Sequence, residues 1–115
     1  MKSLFILNDP PYGSERSYSA LRRARALDKQ AGQAVDVFLM GGAVACAKAG
    51  QQMPEGYYNA GDMVRMVAAN GNVALCGTCM TGGGIGDADV ADGARRSTVD
   101  ELAAWMAAAD KIPVF

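Results

Sequence analysis

No histidine occurs anywhere in the chain, which removes Ser-His-Asp and Cys-His catalysis and leaves carboxylates, lysine, tyrosine or thiols as proton carriers. Hydrolase chemistry loses its usual base. No apolar run approaches the roughly 20 residues of a membrane helix, and residues 1–7 carry one lysine and a short apolar stretch without a cleavage site. A cytoplasmic protein with no membrane partner is the expectation. Neither charge is in surplus: 11 basic against 12 acidic residues give a net charge of −1, too balanced for an electrostatic nucleic-acid footprint. The densest basic run, Arg22, Arg23 and Arg25, lies among alanine and leucine and reads as a solvated helix face. There is no Gly-Lys-Ser/Thr phosphate loop, and Gly84-Ile85-Gly86 is followed by Asp89 where a dinucleotide fingerprint needs glycine. Cysteine is scarce. Three residues, an odd number without a signal peptide, argue against a structural disulfide framework and for free thiols in a reducing compartment.

What is present is an alternation of strand and helix signals over 115 residues, half of them hydrophobic, as in one globular domain spanning 1–115. Ser3-Leu4-Phe5-Ile6-Leu7 is an apolar run of strand length, stopped by Asn8-Asp9-Pro10-Pro11-Tyr12-Gly13. Ser14 is placed to cap a helix that carries Ala20, Leu21, Ala24, Leu27 and Ala31 on one face and ends at Gly32. Residues 34–40 read as a second buried strand, turned by Gly41-Gly42 into a short helix through Val44, Ala45, Cys46 and Ala47. A third helix near 59–69 is stopped by Gly71, and Val73-Ala74-Leu75 makes a third strand ending on Cys76. A short strand near 93–96, a helix capped by Thr98 with Glu101 and running through Leu102, Trp105 and Ala109, and a closing strand at 111–115 complete the pattern. Five strands with crossover helices predict a mostly parallel sheet with helices on both faces.

Cys76-Gly77-Thr78-Cys79 stands where the third strand meets the glycine-rich stretch 80–86. Two thiols at this spacing share a metal, form a reversible disulfide or carry a persulfide sulfur. A structural zinc site wants four ligands, and the chain adds only Cys46 and no histidine, so a metal would require subunits to pool their pairs. Cys46 itself sits in a small-residue segment and reads as packing. Thioredoxin-like exchange has the right spacing, but there the pair opens a helix, and Met80-Thr81-Gly82-Gly83-Gly84 is expected to break one. In open parallel sheets reactive groups gather at the carboxyl ends of the strands. On that edge the N–H groups of Gly77 and Thr78 would stabilise a thiolate, bringing a thiol from about 8.5 into the range of roughly 3.5–7.5. The loop 9–15 falls on the same edge, where Tyr12 offers a hydroxyl and Gly13 a tight turn into a helix N-terminus. Together these would hold an anionic sulfur species near Cys76.

Asn8, Pro11-Tyr12-Gly13-Ser14-Glu15, the Leu21-Arg22 helix, Phe38-Leu39-Met40, Gly50-Gln51, Gly56-Tyr57-Tyr58-Asn59, Cys76-Gly77-Thr78-Cys79 and Asp110-Lys111 with Phe115 resemble, in order and spacing, the DsrE/DsrF-like family and its small YchN type. The resemblance runs end to end. It implies a flavodoxin-like or Rossmann-like α/β sandwich assembling into homotrimers or homohexamers, and a sulfur carrier or sulfurtransferase-like role without a cofactor. Cys76 aligns with the cysteine that holds a persulfide in relays serving sulfur oxidation or transfer RNA thiolation, with sulfur donor and acceptor proteins as partners. Cys79 becomes a resolving thiol, and Asn59 joins Tyr12, Gly13, Gly77 and Thr78 as substrate-binding positions. The alternative is an oligomeric module for thiol-disulfide exchange or small-ligand binding without sulfur transfer.

Overall fold

The computed structural model describes residues 1–115. In chain order the elements are β1 (Lys2–Leu7), α1 (Arg16–Asp28), β2 (Ala34–Leu39), a 3₁₀ stretch (Gly41–Ala47), α2 (Ala60–Ala68), β3 (Asn72–Cys76), α3 (Gly77–Gly82), a 3₁₀ turn (Asp87–Asp89), β4 (Ala94–Ser97) and α4 (Val99–Ala108). The strands run parallel in the order β1-β2-β3-β4. The α/β sheet forms as the sequence predicts, with four strands rather than five.

The missing strand has a physical cause. Residues 111–115 do run parallel beside β1: the N–H groups of Leu4, Ile6 and Asn8 donate to the carbonyls of Lys111, Pro113 and Phe115 at 2.9, 3.0 and 2.9 Å. Pro113 has no N–H to return to β1, so the ladder is broken at its centre and only isolated bridges remain.

Each step from β1 to β4 moves one strand in the same direction, and right-handed crossovers then lay the intervening helices on one face. Phe5, Leu7, Val35, Val37, Leu39, Val73 and Leu75 accordingly cluster with Ala20 and Leu21 of α1, Val64 and Val67 of α2 and Met80 of α3. α4 carries the chain back across the opposite face. There Leu4, Ile6, Phe38, Ala74 and Cys76 lie under Leu102, with Trp105 edge-on to Phe38 at 6.0 Å and 87°. Burial on both faces is why β1 to β3 read as largely apolar runs rather than alternating ones.

Side-chain caps set two of the helix starts. Asn59 Oδ1 accepts from the Asp62 N–H at 3.1 Å and Thr98 Oγ1 from the Glu101 N–H at 3.2 Å, each worth about 1 kcal/mol. α1 starts later than its cap signal suggests: Glu15 is its N-cap, because the Ser14 hydroxyl donates to Asp9 at 2.8 Å and accepts from the Arg16 N–H at 3.3 Å instead. The helix also ends at Asp28, short of Gly32, and Ala31 is exposed. At Gly71 a Cβ would stand 2.2 Å from the Val35 carbonyl oxygen, so only glycine lets the turn before β3 pass so close to β2.

Candidate functional site

Pleating directs Val73 and Leu75 to the three-helix face and Ala74 and Cys76 to the α4 face. Cys76 is the last residue of β3 and at once the N-cap of α3. No loop separates strand from helix. Gly77 makes this possible, since a Cβ there would lie 3.0 Å from the Ser97 carbonyl oxygen and 3.1 Å from Arg96 Nη1.

Here the structure corrects one expectation: the pair does open a helix, of six residues. Glycine occupies only its first and last positions, where the cost in helix propensity is smallest, and Met80 and Ile85 are buried in the core. The Ile85 N–H returns to the Met80 carbonyl at 2.8 Å, with Gly84 at φ +73° making the turn.

Cys76 is 5% exposed. Burial pushes its thiol up, but a hydrogen bond from the Cys79 thiol and the N–H groups of Cys79 and Thr78 outweigh it and leave Cys76 below the ordinary cysteine value. Cys79 moves the other way. Donating to Cys76 raises it, while the Gly41 N–H, 3.2 Å from its sulfur, opposes the rise. The pair is therefore asymmetric: Cys76 is the more readily deprotonated thiol and Cys79 its hydrogen-bond donor. All three cysteines are free thiols. Cys46 is fully buried in the larger core, and burial lifts it to about 11 despite a hydrogen bond with Ser17.

A cavity of about 420 Å³ opens on Cys76, lined by Gly77, Thr78, Arg96, Ser97, Thr98, Val99 and Asp100. Parallel register sets Ser97 opposite Cys76. Arg96 braces the site: its Nε meets Asp87 at 2.7 Å and its Nη1 donates to the Gly77 carbonyl at 2.9 Å. The Ser97 hydroxyl donates to Glu101, which also holds the Arg95 guanidinium at 2.6 and 3.0 Å. No group of three or more Cys, Asp or Glu side chains is gathered as for a metal ion.

The structure thus brings Gly77, Thr78 and Cys79 to Cys76 and adds Gly41, Arg96 and Ser97, which sequence reasoning did not assign. Tyr12 and Gly13 lie elsewhere, in a larger cavity of about 890 Å³ that shares no lining residue with the first. The Tyr12 hydroxyl donates to Gln51 at 2.5 Å and accepts from the Ala60 N–H at 3.1 Å. Asn59, besides capping α2, donates to the Gln51 carbonyl at 2.9 Å. No cysteine lines the larger cavity, whereas Cys76 lines the smaller.

A model of the DsrE/DsrF-like family matches residues 1–115. The chain belongs to that family. It is 40% identical over 116 residues to protein YchN of Escherichia coli, covering 99% of this chain and 98% of that one. Uncharacterized protein MJ0989 of Methanocaldococcus jannaschii is 33% identical over 116 residues, with both chains covered completely. The crystal structure of YchN from E. coli superposes with a TM-score of 0.94 at 39% identity, covering 100% of this chain and 99% of that one. MTH1491 of Methanobacterium thermoautotrophicum, a protein of unknown function, reaches a TM-score of 0.76 at 12% identity, with 97% and 98% covered, and so shares the fold. DsrE/DsrF-like proteins are often linked to sulfur relay and are commonly oligomeric. No helix of this member is long and apolar enough to cross a membrane.

Proposed function

We propose that the protein is a sulfur carrier that holds a persulfide on Cys76 and passes it to an acceptor thiol. The observation that carries this reading is the asymmetry of the pair: Cys76, the thiol whose deprotonation Cys79 and two backbone N–H groups favour, opens into a cavity with Arg96 on its wall. The thiolate attacks the outer sulfur of a donor persulfide R–S–SH. The donor S–S bond breaks, R–S⁻ leaves, and Cys76–S–SH forms. An acceptor thiolate then attacks the outer sulfur and restores the Cys76 thiolate. Alternatively the Cys79 thiolate attacks the inner sulfur, forming the Cys76–Cys79 disulfide and expelling hydrosulfide. Gly77 and Thr78 serve as backbone framework at the sulfur. Donor and acceptor are proteins of a reducing, cytoplasmic compartment.

Intact mass after incubation with a persulfide donor tests the proposal. One added sulfur per chain, lost on reduction, supports it; no uptake by the reduced protein overturns it.

A second reading, dithiol–disulfide exchange, is favoured by α3 beginning directly after Cys76 with Cys79 one turn on. It predicts a Cys76–Cys79 disulfide on mild oxidation without sulfur uptake.

We also propose a homotrimer or a dimer of trimers. Val99, Met106, Ile112 and Val114 are exposed at 60, 43, 37 and 61% on and beside α4, apolar surface of the kind subunits cover. Val99 also lines the Cys76 cavity, so a neighbouring subunit there would help wall it. Light scattering that finds a stable monomer at micromolar concentration would count against the assembly.

A further inference from the structure

The larger cavity is built for a different guest from the thiol site. Its aromatic walls are held in place from behind: the Tyr12 hydroxyl is engaged by Gln51 and Ala60, the Tyr58 hydroxyl donates to the Pro11 carbonyl at 2.6 Å, and the Tyr58 ring stacks on Tyr18 at 4.2 Å. Phe115 is stacked on Phe5 at 6.1 Å and 11°. With these hydroxyls satisfied inside the protein, ring surface is what remains for a ligand. Tyr57, also lining the cavity, is 68% exposed.

Charge is the second element. Arg16 and Arg23 line the cavity against a single carboxylate side chain, Glu15. Arg16 is loosely paired with Asp9 at 3.9 Å. Arg23 meets no carboxylate: its Nη1 donates to the Ser19 carbonyl at 3.2 Å and its guanidinium lies over the Phe115 ring at 5.9 Å. A guanidinium on an aromatic face keeps in-plane donors for a second planar or anionic group. The volume, about 890 Å³, is that of a small-molecule site. A bare sulfur anion would leave most of it to water.

We propose that this cavity binds a planar aromatic anion, a ring bearing a phosphate or carboxylate, stacked on the exposed ring of Tyr57 and bordered by Tyr58 and Phe115, with its acidic group on Arg23. The ring faces supply sequence-tolerant stacking and apolar contact, and the unpaired guanidinium supplies the charge-assisted hydrogen bonds that fix orientation.

Calorimetric titration with two probes tests this. Adenosine 5′-monophosphate reports a phosphate-bearing guest, and 2-naphthoate a carboxylate-bearing one. Adenosine and inorganic phosphate each carry one half of the chemistry. The expected result is saturable binding of one or both anions, with adenosine and inorganic phosphate weaker by about tenfold or more. Arg23→Gln and Tyr57→Ala, both at exposed positions, should each weaken the anion by about tenfold. Cys76→Ser should bind as the unaltered protein does, which separates this site from the thiol chemistry. Absence of saturable binding by either anion at millimolar concentration overturns the proposal, as does binding that neither Arg23→Gln nor Tyr57→Ala alters. Sedimentation of the same variants adds one more outcome: if they dissociate an assembly while neither anion binds, the cavity is a seam between copies of the chain and the ligand site is refuted.

Discussion

The backbone N–H of Gly41, two residues beyond the end of β2, points at the sulfur of Cys79 on α3 from 3.2 Å. Gly41 adopts φ +54°, a conformation that glycine takes without strain. Two adjacent strand ends thereby act on one thiol pair, and Cys79 stays oriented toward Cys76.

Removing the Cys79 thiol should therefore weaken Cys76 as a nucleophile. In Cys79→Ala the hydrogen bond that lowers Cys76 is lost while burial, which raises it, persists, so the midpoint of iodoacetamide alkylation against pH moves upward. Cys79→Ser keeps a donor and should fall between the two. A midpoint common to all three proteins would remove Cys79 from this role.

Sulfur loading separates the thiols by function. Cys76→Ser should take up no sulfur from a persulfide donor, whereas Cys79→Ser should load to the full extent, if somewhat more slowly, and release hydrosulfide slowly, because no accessible intramolecular thiol remains to displace it. Mass spectra showing equal loading of both variants would displace Cys76 from the carrier position.

Native thiol counting gives a third check. With Cys46 fully buried and lifted to about 11, no more than two of the three cysteines should react with iodoacetamide near neutral pH. The last should react only after denaturant exposes it. Full modification of the folded protein would contradict the burial assigned to Cys46.

Glycine substitutions should divide by what a Cβ meets. Gly77→Ala places a methyl group 3.0 Å from the Ser97 carbonyl and should cost about 1–3 kcal/mol, read as a lower Tm. Gly82→Ala meets nothing within 4 Å and should be neutral or stabilising by up to about 1 kcal/mol. Similar melting temperatures for the two would mean that the Cys76 turn is less tightly packed than described.

Glu101 gives the pH dependence a sign. Arg95, then Ser97, hold its carboxylate below its ordinary value of 4.5 in the folded protein. The stabilisation is therefore complete above that value and is lost as pH falls through the lower folded one. Glu101→Gln should flatten this part of a Tm profile recorded from about pH 3 to 6, leaving the neutral-pH side otherwise unchanged in slope.

The strands around the thiols were legible because both faces of the sheet are buried, so residues 4–7, 37–40 and 73–76 are apolar without interruption. Cys76 at a strand end was legible for the same reason. Arg96 was not, since it reaches the site through strand register and through the Arg96–Asp87 pair, which no local pattern announces. The glycine-rich tract misled in one respect. Counting glycines argued against a helix after Cys76, but tertiary burial of Met80 and Ile85 outweighed propensity over a single turn and a half. Tyr12 shared an edge with Cys76 in the sequence reading, yet β1 and β3 stand two strand spacings apart, about 9.6 Å. One edge has room for two separate cavities. The fifth strand was read at 111–115; its irregularity comes from Pro113, whose position in the ladder only the register discloses.

That proline leaves β1 with a lopsided boundary. The amides of Leu4, Ile6 and Asn8 are shielded from water by carbonyls of a segment more than a hundred positions away in the chain, linked also by the Lys2 N–H to Asp110 contact at a separation of 108. Contacts so distant in sequence come late in folding, and a ladder with a gap at Pro113 opens more readily than its neighbours. Hydrogen exchange at those three amides therefore measures the breathing of the sheet margin, apart from the global unfolding that governs exchange at the centre of β2.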